Sequence, residues 1–223
     1  MDTEKVSEED FARCLQDLEL INIASMGYRP TLNWMERAIG RRKRLTIVDV
    51  GSGRGDMLRK IRRWADKRGL EVELFGIDLN PLSNIAALAA TPDDHDITYI
   101  TGDAFSWQEN KHVDLVISSL FAHHLSDEEL VRFFAWMEGR AALGWFINDL
   151  HRHWLPYHGL KTAFNLLPVH RFVRHDGPVS VRRAFVASDF RAIAGAAGID
   201  QESLEIKWRF PFRWGVGRVK TAG

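Results

Sequence analysis

The sequence has 223 residues, in which 30 lysines and arginines balance 30 aspartates and glutamates, and it contains one cysteine. This length suits a single α/β domain with a buried core, and the zero net charge argues against a long polyanion such as nucleic acid as a partner. The lone Cys14 excludes an internal disulfide and a cysteine-based zinc site. The polar start, "MDTEKVSEEDFARC", has no signal or transit pattern, and no apolar run reaches about 18 residues, so we expect a cytoplasmic protein without a membrane span.

Two helices are predicted before the first strand. Residues 7–21 carry apolar side chains at helical spacing behind a capping Ser7, and residues 31–40 follow Pro30 and end at Gly40. Helix and strand patterns then alternate. Predicted strands cover residues 45–50, 72–78, 97–100, 113–119 and 143–149, with helices over 56–69, 80–90, 126–141 and 188–198.

This alternation predicts an α/β fold with parallel strands joined by right-handed crossovers. Residues 203–210 and 213–220 would add a closing antiparallel hairpin. We therefore expect a doubly wound, mostly parallel, seven-stranded Rossmann-like sheet with an antiparallel C-terminal hairpin.

The stretch "TIVDVGSGRGDML" at 46–58 places Gly51, Gly53 and Gly55 at a strand-to-helix turn. Glycines there let the backbone approach a ligand closely, beside the free amides of a helix start. A dinucleotide fingerprint would need its third glycine at Asp56, where an acid is a poor neighbour for a pyrophosphate. The turn therefore favours a cofactor with less negative charge than NAD.

Polar residues also follow the next three strands. Asp78 closes "GIDLN", Asp103 lies in "TGDAF", and Ser118 and Ser119 end "VDLVISS". A carboxylate at the end of the second strand can accept hydrogen bonds from both hydroxyls of a ribose. Asp103 could accept an exocyclic adenine amine.

Together with the glycine turn and "VISSLFAHHL", these elements resemble the class I S-adenosylmethionine-dependent methyltransferases over about residues 45–205. The resemblance implies that S-adenosylmethionine is the cofactor and S-adenosylhomocysteine the product. Gly51, Gly53 and Gly55 would line the methionine part, which Asp49 would help to order through the loop. The remaining cofactor contacts implied are Asp78 with Leu79 at the ribose, Asp103 with Ala104 at the adenine, and Ser118 and Ser119 near the amino group and sulfonium.

The resemblance also suggests how one domain would be divided. Residues 1–44 would form a helical cap, 45–150 the cofactor-binding core, 151–187 a lid after the fifth strand, and 188–223 a closing helix and hairpin.

Substrate contacts are expected from the cap and the lid, at Tyr28, Trp154, Tyr157 and Arg183. Arg183 would pair with an acid of the crevice or with an anionic group of the substrate. Within the lid, "HDGP" predicts a turn at Asp176–Pro178.

Methyl transfer to a hydroxyl requires a group that removes a proton, and histidine is the usual choice near neutral pH. His151, just past the fifth strand, is the leading candidate, with His123 and His124 of "FAHHLSD" as alternatives. In similar methyltransferases the second histidine of this motif fixes the next helix, so His124 is interpreted as structural and His123 as a loop residue. Asp149, His151 and His153 alternate, but no complete ligand set is fixed, so no metal is predicted.

The function that we expect is methylation of a small-molecule hydroxyl on an aromatic, quinone-like or polyketide-derived acceptor. Alternatives are methylation of nitrogen or carbon in another metabolite or in RNA, an NAD-dependent oxidoreductase on a related fold, and a cofactor binder without turnover. No nucleic-acid partner is expected. The sequence leaves the acceptor and the oligomeric state open.

Overall fold

The computed structural model describes residues 7–107, 111–166 and 169–220, and the side chains of these residues except at 160 and 163–166. Residues 1–6 of the expected cap, 167–168 of the expected lid and 221–223 of the closing segment lie outside the described residues. The strands are β1 Arg44–Val50, β2 Glu71–Asp78, β3 Ile97–Thr101, β4 Leu115–Ser119, β5 Gly144–Leu150, β6 Glu205–Arg209 and β7 Arg213–Val219. The α-helices are α1 Glu8–Ala24, α2 Arg29–Ala38, α3 Asp56–Asp66, α4 Pro81–Ala90, α5 Asp127–Arg140, α6 Trp154–Leu166, α7 Arg171–Arg183 and α8 Ala187–Ala196.

The seven strands form one sheet in the order β3-β2-β1-β4-β5-β7-β6. Strands β1 to β5 pair in parallel, whereas β7 runs antiparallel between β5 and β6. Parallel strands are covered on both faces, so their sequences are almost continuously apolar, as in "LTIV" of β1. The predicted α/β fold with an antiparallel C-terminal hairpin is confirmed.

Helices cover the two faces of the sheet and bury an aromatic core on each. On one face, Trp34 of α2 stacks on Phe146 of β5 with ring centroids 5.1 Å apart. On the other, Phe134 of α5 meets Trp145 edge-on at 5.2 Å. Because β5 supplies an aromatic to each face, the strand that ends nearest the expected acceptor side is held firmly in place.

Helix α1 lies across the carboxyl edge of the sheet and connects the core to α7. Phe11 and Leu15 pack with Ala86 of α4, and Cys14 packs with Phe172 and Val173 of α7. Helices α6 and α7 also pack against each other. Helices α6 and α7 are therefore joined to the rest of the fold in part through the contact of α7 with α1.

The turn predicted at Asp176–Pro178 is wrong, because α7 continues from Arg171 to Arg183 with Pro178 inside it. Proline removes one helical hydrogen bond. The helix persists because Phe172, Val173, Pro178 and Val181 are buried against neighbouring elements, and tertiary packing outweighs the local preference. Among the described residues, no helix is long and apolar enough to cross a membrane.

Candidate active site at the carboxyl edge of the sheet

A cavity of about 810 Å³ opens at the carboxyl ends of strands β1 to β4. In an open α/β sheet, this edge is where the strand-to-helix loops converge and ligands bind. The lining residues that follow the four strands are Gly51, Ser52 and Gly53 after β1, Leu79 after β2, Asp103 and Ala104 after β3, and Leu120 and Phe121 after β4.

Each of the three glycines after β1 has a left-handed backbone conformation, but the space around their Cα atoms differs. All three have positive φ, at 71° for Gly51, 51° for Gly53 and 72° for Gly55. A Cβ at Gly51 would lie 2.5 Å from Phe121, and one at Gly55 would lie 2.1 Å from the Tyr99 hydroxyl. At Gly53 the nearest atom is Leu15 Cδ2 at 4.0 Å. Gly51 and Gly55 therefore permit close packing, whereas Gly53 presents its backbone to open space.

Asp78 fixes this glycine loop. Its Oδ2 accepts a hydrogen bond from the Gly53 amide at 2.9 Å, and its Oδ1 accepts one from the Asn80 amide at 2.9 Å. A carboxylate oxygen has two lone pairs and can accept more than one hydrogen bond. The carboxylate at the end of β2 is thereby held at the cavity wall.

Three buried polar atoms of cavity-lining residues have no hydrogen-bond partner among the described residues: Asp49 Oδ1, Ser52 Oγ and Ser119 Oγ. Burial, together with the nearby negative charges of Asp56 and Asp78, raises the pKa of Asp49 well above its usual value. An unpartnered buried polar atom is costly, so such atoms at a cavity wall indicate that a ligand completes their hydrogen bonding.

The N-terminal segment contributes Asn22 and Tyr28 to the cavity wall, and both are hydrogen-bonded to Asp56. The Tyr28 hydroxyl donates to Asp56 Oδ2 at 2.6 Å, and Asn22 Nδ2 donates to the same oxygen at 3.4 Å. Burial and the Asp56 carboxylate raise the pKa of Tyr28, so the phenol remains protonated and acts as a donor. Asp56 opens α3, where an acid also interacts favourably with the helix dipole.

Glu19 of α1 attaches the cap to the glycine loop. It pairs with Arg54 and, at 2.8 Å, with the buried Arg59. Although burial opposes ionisation, the hydrogen bonds and charge of Arg59, and then of Arg54, hold the pKa of Glu19 below its usual value. Both of these arginines therefore have a carboxylate partner within the protein.

Behind the loop that follows β4, His123 and Asp149 form a buried pair. His123 Nδ1 lies 2.7 Å from Asp149 Oδ1, and the His123 amide donates to Asp149 Oδ2 at 3.3 Å. Burial opposes ionisation of Asp149, but the His123 charge and hydrogen bonds, with an amide bond from Leu150, lower its pKa. The ring of His124 lies 4.2 Å from the ring of His123, and His124 lines the cavity.

A family model described as a methyltransferase domain matches residues 47–140. This range contains the glycine loop, Asp78, Asp103, Ser119 and both histidines of the loop after β4. Over these residues the chain is therefore similar to a methyltransferase domain. No curated protein sequence matches the chain significantly.

Solved structures of methyltransferases share the fold of this domain at low sequence identity. Magnesium protoporphyrin IX methyltransferase from Synechocystis PCC 6803, with bound S-adenosylhomocysteine, is 18% identical with a TM-score of 0.56, over 89% of this chain and 83% of that one. Human N-acetylserotonin methyltransferase, in complex with S-adenosylmethionine, is 14% identical with a TM-score of 0.66, over 97% of this chain and 57% of that one. The plantazolicin methyltransferase BpumL, with S-adenosylhomocysteine, is 12% identical with a TM-score of 0.66, over 93% of this chain and 89% of that one.

Most residues that the sequence assigns to the cofactor lie together at the carboxyl edge of the sheet. Those that line the cavity are Asp49, Gly51, Gly53, Asp78, Leu79, Asp103, Ala104 and Ser119. Gly55 and Ser118 are not in the lining. Gly55 packs against Tyr99, and Ser118 donates its hydroxyl proton to the Val50 carbonyl at 2.8 Å, tying β4 to β1.

The two histidines after β4 have places opposite to those expected. His123, interpreted as a loop residue, is buried at 6% exposure, and His124, interpreted as structural, lines the cavity. The reason is that Asp149, which lies 26 residues later on the neighbouring strand β5, pairs with the first histidine in the protein interior.

His151 and the expected lid residues lie outside the cavity lining. His151 packs edge-on against Trp214 at 5.2 Å, and burial and the neighbouring His153 lower its pKa. Trp154 is 67% exposed, and Tyr157 contacts His158. Arg183 lines a second, smaller cavity between α5 and α8. Of the predicted substrate residues, only Tyr28 is in the main cavity.

Sequence analysis missed Arg213, which opens β7 and lines the main cavity while only 4% exposed. No motif marks this position, and the pattern that carries it, "RWGVGRV", resembles any half-buried strand. Among the described residues, no group of three or more His, Cys, Asp and Glu side chains is placed to hold a metal ion.

Proposed function

We propose that this protein transfers a methyl group from S-adenosylmethionine to a hydroxyl of a small-molecule acceptor and releases S-adenosylhomocysteine. The observation that supports it best is that residues suited to binding the cofactor and a histidine suited to accepting a proton line the same cavity. Cofactor-type groups at the ends of β1 to β4 share that cavity with His124, the next polar group along the sheet edge.

The residues present suit the cofactor. Gly53 leaves open space against its backbone, where the methionine part would lie. The unpartnered Asp49 Oδ1 and Ser119 Oγ would accept hydrogen bonds from the ammonium group. Asp78 would accept the ribose hydroxyls, and Asp103 with Ala104 would hold the adenine.

When bound, the cofactor supplies an activated methyl group on a positively charged sulfur. The protein must place the acceptor oxygen in line with it and remove the hydroxyl proton. His124 is the catalytic residue of this proposal, since its imidazole lines the cavity and can accept that proton. His123 and Asp149 are positioning residues that hold the loop carrying His124.

The acceptor is an aromatic, quinone-like or polyketide-derived molecule in this proposal. Its support is the apolar part of the lining, which includes Phe11, Leu15, Phe105, Phe121 and Phe133. Aromatic side chains bury flat apolar ligands well. Nitrogen or carbon methylation is the alternative that an acceptor panel would distinguish.

Helices α6 and α7 act as a lid over the acceptor in this proposal. Helix α7 contacts both α1 and the loop at residues 122–124. Its first turn is attached to α1 by polar contacts: His170 Nε2 lies 2.9 Å from Asp10 Oδ1, and Arg171 lies 2.8 Å from Asp10 Oδ2. These polar contacts involve partly exposed side chains, so breaking them costs less than breaking the buried contacts of Cys14 with Phe172 and Val173.

The proposal is tested by calorimetric titration with S-adenosylhomocysteine and, in parallel, with NAD. Binding of the first alone supports the cofactor assignment, whereas a preference for NAD overturns it. A panel of phenols, quinols, amines and activated methylenes then tests the acceptor, with isotope-labelled methyl transfer as the readout. Transfer confined to amines or carbon would replace the hydroxyl assignment.

A further inference from the structure

Arg213 is a buried cation at the wall of the main cavity. It is 4% exposed, and its guanidinium packs so closely on Gly27 that a Cβ there would lie 2.8 Å from Nη2. Asn148 donates to the Gly27 carbonyl at 2.7 Å and fixes that backbone. The guanidinium is therefore held in place by packing against a fixed backbone segment, unlike an exposed arginine side chain.

Within the described part of the chain, Arg213 has no carboxylate within 4.0 Å. Its hydrogen bonds go from Nη2 to two neutral oxygens, Asn22 Oδ1 at 2.9 Å and Ser25 Oγ at 3.3 Å. Nε and Nη1 make no hydrogen bond to a described residue. Arg54, which also lines the cavity, pairs with Glu19, as does the neighbouring Arg59.

Such an arrangement is energetically unfavourable without a further partner. A charge removed from water is strongly unfavourable unless an opposite charge or a full set of hydrogen bonds compensates it. Burial lowers the pKa of Arg213, and the more distant charges of Asp149 and Asp56 oppose this shift. A guanidinium with unused donors beside a ligand cavity is suited to a carboxylate, which it can bind through two hydrogen bonds.

The strand order indicates which ligand would carry the carboxylate. The proposed cofactor contacts come from the ends of β1, β2, β3 and β4. Arg213 begins β7, opposite Leu150 at the end of β5, so two strands separate it from β1. It therefore lies at the end of the cavity next to the acceptor side, together with Gly27 and Tyr28 of the cap.

We propose that Arg213 binds a carboxylate group of the methyl acceptor, so that the enzyme selects acceptors that are acids. This inference rests on the proposed methyltransferase function. Asn22 and Ser25 are positioning residues for the guanidinium, and Tyr28 closes the cavity beside it.

Calorimetry on the full chain tests the inference with two ligand pairs. The acceptor pair is benzoate and benzyl alcohol, titrated with and without saturating S-adenosylhomocysteine. The cofactor pair is S-adenosylhomocysteine and S-adenosyl-3-thiopropylamine, which lacks only the carboxylate. The variants are Arg213→Met and Arg213→Lys, and Arg218→Met is the matched control, because Arg218 lies on the same strand and pairs with Glu138 outside the cavity lining.

We expect wild type and Arg218→Met to bind benzoate at least about tenfold more tightly than benzyl alcohol, and Arg213→Met to lose this preference. Arg213→Lys should keep part of it, because a lysine retains the charge without the planar fork. Affinity for S-adenosylhomocysteine should change less than about threefold in every variant.

Three results would overturn the inference. Wild type without a preference for benzoate, or Arg213→Met with the preference intact, shows that Arg213 is not a carboxylate receptor for the acceptor. Loss of affinity for S-adenosylhomocysteine but not for the thiopropylamine in Arg213→Met assigns the arginine to the cofactor's carboxylate. Failure of wild type to bind S-adenosylhomocysteine instead contradicts the proposed function. In that case the benzoate titration in the absence of S-adenosylhomocysteine still tests whether Arg213 binds a carboxylate.

Discussion

Asp149 holds His123 at two points, with Oδ1 against the ring nitrogen Nδ1 at 2.7 Å and Oδ2 against the backbone amide at 3.3 Å. The carboxylate thus fixes both the position of the loop and the rotation of the ring. Because Nδ1 faces a carboxylate, the proton of a neutral His123 lies on Nδ1. The ring in turn packs on His124, so a change at β5 is transmitted to the cavity.

Asp149→Asn should lower kcat by about 10²-fold, because a small displacement of His124 is enough to disturb the alignment of base and acceptor. Affinity for S-adenosylhomocysteine should stay within about threefold, since Asp149 is not in the cavity lining. Stopped assays of methyl transfer and calorimetry measure the two quantities. If cofactor affinity falls as much as turnover, Asp149 supports the whole fold and is not specific to His124.

The stability of the protein should depend on pH through Asp149. Its pKa in the folded protein is lowered, so the ionised form stabilises the fold above the unfolded value of about 3.9, and this contribution disappears as pH falls through the lower folded value. Urea unfolding of wild type and Asp149→Asn from pH 3 to 7 measures it. A difference between the two proteins that is constant over this range would contradict the assignment.

His124→Asn should lower kcat by about 10²-fold or more with little change in cofactor affinity, as expected for a general base. His151→Asn is the comparison, because His151 was the leading candidate from sequence and lies outside the cavity lining. We expect it to retain turnover within about threefold. The opposite ranking of the two variants would return the catalytic role to His151.

Asp78→Ala should weaken S-adenosylhomocysteine binding by about 1–3 kcal/mol, through loss of the ribose acceptor and of the bond to the Gly53 amide. Asp78→Asn keeps one acceptor oxygen and should lose less. Asp94→Ala, an exposed aspartate far from the lining, is the control for charge. Unchanged affinity in Asp78→Ala would show that the ribose site is misplaced.

Substitutions at two glycines of the loop should affect different properties: Gly55→Ala the free energy of unfolding, and Gly53→Ala mainly the affinity for the cofactor. Gly55→Ala places a Cβ 2.1 Å from the Tyr99 hydroxyl at φ 72°, and we expect it to cost about 2–4 kcal/mol of unfolding free energy. Gly53→Ala has open space and should cost only about 1 kcal/mol, for its positive φ, while its methyl group reduces cofactor affinity. Thermal unfolding and calorimetry on both variants give the comparison. Equal losses of stability would contradict the different roles.

Much of the fold follows from local rules that the sequence shows directly. Ser126 and Glu129 form the predicted capping box, and Asn80 accepts from the Leu82 amide as a predicted helix cap. The strands were found because β-branched runs fill a sheet buried on both faces. Pro178 shows the limit of such rules, since its effect on α7 depends on which side chains the helix buries.

The residues of the candidate site likewise fall into those placed by chain order and those placed by partners far away in the sequence. Gly53, Asp78 and Asp103 lie just after successive strands, so chain order alone brings them to one sheet edge. The burial of His123 depends on Asp149, 26 residues later, and the position of Arg213 depends on Asn22, 191 residues earlier. Sequence periodicity contains no information on such distant pairs, which is why fewer of the residues expected to contact the acceptor than of those expected to contact the cofactor line the cavity.

The contact between Asn22 and Arg213 also bears on the order in which the cavity is built during folding. At the end proposed for the cofactor, Asp78 fixes the Gly53 amide across only 25 residues of chain, so this contact can form early at small entropic cost. Closing the acceptor end needs β7 to insert between β5 and β6 and then to meet a helix from the opposite part of the chain. The acceptor end is thus the last part of the cavity to gain its shape and the first to lose it when the protein opens locally.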